Sequence, residues 1–196
     1  MNTLDIILWS ALLLVLVTGV LLALLASRQS TSHKPSTPWL ITPVVGVIVA
    51  FITFVAAIGS EAMPPRGFLI VTTVLLVLIG TIGGSPLVLV ALQLAGSGAE
   101  PLGDHGGILV TEEGATKEDR EILRGGMTIG YLERLMIMGA ALMGQFAAVA
   151  IVVAIKGLGR FSELENSAAR ERFIIGTLVS ILWAALCVTP VLIGWQ

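Results

Sequence analysis

The chain has 196 residues, of which 56% are hydrophobic and 12% charged, with a mean hydropathy of +0.97. A soluble domain carries about twice that charge to solvate its surface, so the composition argues against one and for a membrane protein. The net charge of −2 gives no electrostatic case for nucleic acid, and one cysteine, Cys187, rules out an intramolecular disulfide.

The apolar residues fall in blocks of about 20, the length that crosses bilayer hydrocarbon as a helix. The expected fold is all-α: a single-domain (1–196) polytopic transmembrane bundle of about five spans. The first covers 4–26. Asp5 stands where a signal peptide would be basic and no small-x-small cleavage site follows, so this segment reads as a retained span. A polar loop with Arg28, His33 and Lys34 leads to the second span, 39–59, with Trp39 as an interfacial anchor. A turn containing Pro64-Pro65 precedes the third span, 68–95.

Unbroken, that third run would give roughly 42 Å of helix, more than an untilted span needs. Gly83, Gly84 and Pro86 therefore predict a break, with 86–95 a separate piece lying at the interface or re-entering the membrane. Residues 96–126 form an acidic aqueous loop, in which Thr116 and Asp119 predict the start of a short surface helix. Asp104-His105 has no second ligand at metal spacing, so neither a metal nor a cofactor is expected. The fourth span covers 127–155. A charged link follows, with Ser162 and Glu165 as a capping box, and the fifth span covers 173–195.

Orientation is a tie on this plan. Loops one and three carry Arg28, Lys34, Lys117, Arg120 and Arg124, and loops two and four carry Arg66, Lys156, Arg160, Arg170 and Arg172. A re-entrant 86–95 would place loops one and four on one side and tip the count modestly.

On one long helix, Arg134, Gln145 and Lys156 recur every 11 residues, so each is rotated only about 20° from the last and lies about 16 Å further along. With Met138, Ala141, Ala148 and Val152 they form a polar stripe the length of the fourth span. One reading is an ion or solute path, or an anionic headgroup site. The other is helix–helix hydrogen bonding at the central Gln145, with Arg134 and Lys156 snorkelling at opposite ends. Glu133 is a possible intramembrane acid. In the fifth span Thr177, Ser180, Ala184, Cys187 and Val191 make a narrow small-and-polar seam, predicted to pack on the fourth. Arg160, Glu171 and Arg172 form an interfacial charge cluster. No nucleophile, paired-acid or phosphate motif is present, so no catalytic residue is assigned.

Gly130-Tyr131-Leu132-Glu133-Arg134, Gly144-Gln145, Ala154-Ile155-Lys156-Gly157 and Glu171-Arg172-Phe173-Ile174-Ile175-Gly176-Thr177-Leu178, with an echo in Gly83-Gly84-Ser85-Pro86, resemble the C-terminal part of small bacterial integral membrane proteins, the actinobacterial kind in particular. The resemblance covers the last third of the chain. It implies a bacterial inner membrane and no mechanism. The expected role is a non-enzymatic accessory or assembly subunit, with the lipid bilayer, a second copy or another membrane protein as partner. The alternatives are a small oligomeric channel or transporter lined by the stripe, and a lipid-acting enzyme using Glu133.

Overall fold

The computed structural model describes residues 3–31, 41–58, 66–95, 108–110, 120–122, 126–159 and 167–194. Within them lie α1 (Thr3–Thr31), α2 (Thr42–Ile58), α3 (Arg66–Leu94), β1 (Ile108–Val110), β2 (Arg120–Ile122), α4 (Gly126–Leu142), α5 (Phe146–Gly159) and α6 (Ser167–Gly194). The architecture is helical apart from the three-residue antiparallel ladder of β1 and β2, which pairs Ile108 with Ile122. A strand thus occupies 120–122, where a surface helix was expected.

Among the described residues, three helices are long and apolar enough to cross a membrane, over Trp9–Arg28, Arg66–Leu94 and Arg170–Ile193. Their surfaces suit lipid. Leu14, Ile70, Leu178 and Leu182 are 60–71% exposed, and exposed hydroxyls are answered within their own helix. Thr18 donates to the Leu14 carbonyl at 2.8 Å and Thr189 to that of Ala185 at 2.7 Å. Such back-bonding satisfies a hydroxyl where water is absent.

Side-chain contacts fix the helix directions. Trp9 meets Phe68 edge-on at 4.5 Å between ring centroids, and Gly19 lies against Ile79, so α1 and α3 run parallel. α2 packs on α1, with Val47 against Gly19. Gly83 faces Trp183 and Gly176 faces Val88, so α3 and α6, the most extensive helix pair, run antiparallel. Leu16, Ile48, Leu76, Ile79, Met138, Trp183 and Cys187 fill the core between these helices.

The expected break in the third span is not there. α3 runs continuously from Arg66 to Leu94 with Pro86 inside it and fully buried. Its glycines provide close packing: a methyl at Gly83 would lie 3.1 Å from the Trp183 ring. Neighbouring helices support an interior proline by enclosing the disrupted turn.

The break falls in the fourth span. The run 127–155, expected as one helix, is divided into α4 and α5 by residues 143–145. Gly144 has φ +70°, its N–H donates to the Ala141 carbonyl at 3.0 Å, and the Gln145 N–H donates to that of Ala140 at 2.8 Å. These two bonds make a Schellman motif, which terminates a helix at a left-handed residue. The chain then reverses, and α5 returns along α4. Gly144→Ala is expected to cost about 1–2 kcal/mol in thermal unfolding, because a Cβ penalises left-handed backbone. Gly46 in α2 has nothing within 4 Å of a Cβ position. Gly46→Ala should therefore gain about 0.5–1 kcal/mol.

Candidate functional site: a buried arginine under a helical hairpin

Reversal at Gly144 changes the meaning of the expected stripe. Arg134 is buried at 2% exposure, Gln145 is exposed in the turn, and Lys156 comes back beside Glu133. The three do not share a face. Arg134, expected to snorkel near a span end, reaches the middle of the two longest partner helices, and Gln145, expected at the centre, caps the hairpin.

The guanidinium of Arg134 is held by neutral groups. Its Nε donates to the Thr81 carbonyl at 2.9 Å, one NH2 group to Ser85 Oγ at 2.9 Å and the other to Ser180 Oγ at 3.2 Å. Its Cζ lies 5.4 Å from the Tyr131 ring centroid, a cation–π contact within the same helix turn. The Thr81 carbonyl immediately precedes that of Ile82, which Pro86 leaves without its helical N–H donor. Arg134 therefore docks on the polar, disrupted stretch of α3.

Glycines make the room. A methyl on Gly84 would lie 2.6 Å from both Cδ and Nε of Arg134, and one on Gly130 would lie 3.3 Å from the guanidinium. The helix backbones come close enough for one side chain to reach Thr81, Ser85 and Ser180 together. Gly84→Ala forces the arginine out of this position. It should cost about 1–3 kcal/mol in detergent unfolding, as overpacking does.

Glu133, buried at 6% exposure, faces the other partner. Its Oε2 accepts a hydrogen bond from Lys156 Nζ in an ion pair that ties α5 to α4. Lys156 also stands 5.8 Å from the centroid of Phe173 on α6. Beneath the pair, Ile137, Val152, Val153, Thr177, Ser180 and Ile181 line a small cleft between α4, α5 and α6, with room for about one water. Thr177 Oγ1 lines that cleft, buried and with no hydrogen-bond partner among the described residues.

The seam expected on the last span is buried: Ser180, Ala184, Cys187 and Val191 are at most 5% exposed, and Ser180 accepts from Arg134 of α4. Gly83, Gly84 and Pro86 belong to this contact and not to a helix break. Glu171 is exposed and Arg172 half-buried near the start of α6. Arg160 lies outside the described residues, as do Trp39, His33, Asp104-His105, Ser162 and Glu165. Sequence reasoning missed Ser85, Thr81 and Tyr131 as partners of Arg134. A threonine and a serine flanking two glycines just ahead of a mid-helix proline were the available signal.

A helical bundle with three membrane-length apolar helices, closed around one arginine and a clamped hairpin, is the class this geometry defines. Comparisons with protein-family models, curated proteins and solved structures find no match to the chain.

Proposed function

We propose that the chain is a multi-pass protein of a bacterial inner membrane that acts without catalysis, as an accessory or assembly subunit, alone as a homo-oligomer or within a larger complex. On this reading α1, α3 and α6 cross fully, α2 is a shorter crossing, and the α4–α5 hairpin inserts between the same two surfaces. At about 25 Å and about 21 Å, α4 and α5 are each shorter than the hydrocarbon thickness.

The observation that carries it is how the interior polar groups are engaged. Arg134 ties three helices together and Glu133 ties down α5, so these two interior groups are both held by protein partners. The stripe on which a channel reading depended is divided by the turn at Gly144. By contrast, Ile151, Ile155 and Leu158 on α5 are 59–75% exposed, and among the described helices α4 is the one in extensive contact with α5. Such a face suits a neighbouring membrane helix or lipid.

A photo-crosslinking residue at Ile151 or Ile155, in protein expressed in its native membrane, tests the proposal. A discrete adduct with a second copy or one other membrane protein is the expected result. Lipid adducts only, with a partner-free monomer on native purification, would contradict it.

A further inference from the structure

The hairpin decides a question that loop charges alone leave tied. Because α4 and α5 together return the chain to the side it left, the C-terminal end of α1, the C-terminal end of α3, the start of α4, the end of α5 and the start of α6 all lie at one end of the bundle. This holds whether the hairpin tip reaches the far headgroups or stops inside the hydrocarbon. Contacts support the placement. Glu133 and Lys156 are level with each other, and Lys156 is near Phe173, in the second turn of α6. Trp9 with Phe68, and Gly83 with Trp183, fix the remaining helices.

Cations of the described helices sort by end. Arg28 in the last turn of α1, Lys156 in the last turn of α5, and Arg170 and Arg172 in α6 share this end, whereas Arg66 opens α3 at the opposite one. The segments that join helix ends on this side add Lys34, Lys117, Arg120, Arg124 and Arg160. In chain order, nine of the eleven lysines and arginines fall in, or between, described elements that end on this side, one falls at the opposite end, and Arg134 lies in the interior. The many acids of 96–126 do not cancel this asymmetry, because orientation follows the Lys and Arg count in short loops and not net charge.

We infer that this end of the bundle faces the cytoplasm, with its cations at the anionic headgroups of that leaflet, and that both described chain ends, at Thr3 and Gly194, lie on the opposite side. Positive side chains are retained on the cytoplasmic side during insertion and are attracted to its negatively charged surface. The inference rests on the multi-pass reading proposed above.

Single cysteines in a Cys187→Ala background test it, labelled by a membrane-impermeant maleimide in spheroplasts before and after permeabilisation. Ser32→Cys, Thr116→Cys and Ser162→Cys should gain labelling only on permeabilisation, and Ser60→Cys should label fully beforehand. A C-terminal alkaline phosphatase fusion should be active and a fluorescent-protein fusion dark, which gives the same answer without any cysteine. The reversed pattern overturns the orientation. A split between Ser32→Cys and Ser162→Cys overturns the sidedness that the hairpin imposes. Recovery of the chain in the soluble fraction would instead defeat the multi-pass reading, which separates the two failures.

Discussion

Arg134→Ala is expected to lower the stability of the protein in detergent by roughly 2–5 kcal/mol. The variant loses hydrogen bonds to Thr81, Ser85 and Ser180 and opens a cavity where α3, α4 and α6 meet. Arg134→Met should lose less than half as much. It keeps the volume, and the two serines can bond back to carbonyls of their own helices. Arg134→Lys should fall between them, because a single ammonium on a flexible stem cannot reproduce a planar fork that reaches two helices. Unfolding of the three variants by SDS titration gives the order directly. An Arg134→Ala protein as stable as the parent would remove the arginine from the structural account.

The second large effect concerns α5. Lys156→Met leaves Glu133 as an uncompensated charge, its side chain 8% exposed, and should cost about 3–5 kcal/mol. Glu133→Gln should cost less. The side chain of Lys156 is 17% exposed in the last turn of α5, and its stem can carry the ammonium out to the headgroups. The double variant should recover most of the larger loss, since it removes both charges together. A double-mutant cycle measures this coupling, and strictly additive costs would show that the two residues do not act as a pair.

Much of the bundle was legible in the sequence. The apolar blocks located the three membrane-length helices, although α1 runs on through Arg28 and α6 begins at Ser167, ahead of the expected boundaries. Charged residues sit within the first and last turns of such helices because their side chains reach the headgroups, so composition alone draws the spans too short. The small-and-polar seam of α6 was also legible, since small residues at helical spacing mark close packing.

The breaks were not. Excess length, glycine and proline all mark 68–95, where the helix continues, and the same excess length applies to 127–155, where it does not. What separates the two is local. Gly144 follows Met143 and precedes Gln145 at a point where the backbone becomes left-handed and two amides close a Schellman motif. Gly83 and Gly84 instead face Trp183 and Arg134, contacts that exist only once three helices have assembled. Whether a glycine ends a helix or admits a neighbour depends on tertiary packing, which a single sequence does not display. The pairing of Glu133 with Lys156 followed from the missed reversal. On one straight helix those residues would stand about 35 Å apart.

That difference in distance provides the most direct measurement. Ile137 and Val152 line the same cleft across the hairpin, whereas a continuous helix would separate them by about 22 Å. In a Cys187→Ala background, Ile137→Cys with Val152→Cys should form an intramolecular crosslink with copper–phenanthroline or a short bismaleimide in native membranes, identified by peptide mass. Ile137→Cys with Leu158→Cys, on the exposed face of α5, serves as the control and should crosslink far less. Efficient joining of the first pair is the result the hairpin predicts. No crosslink between 137 and 152, in protein whose single cysteines both react with maleimide, would contradict it and restore the straight span.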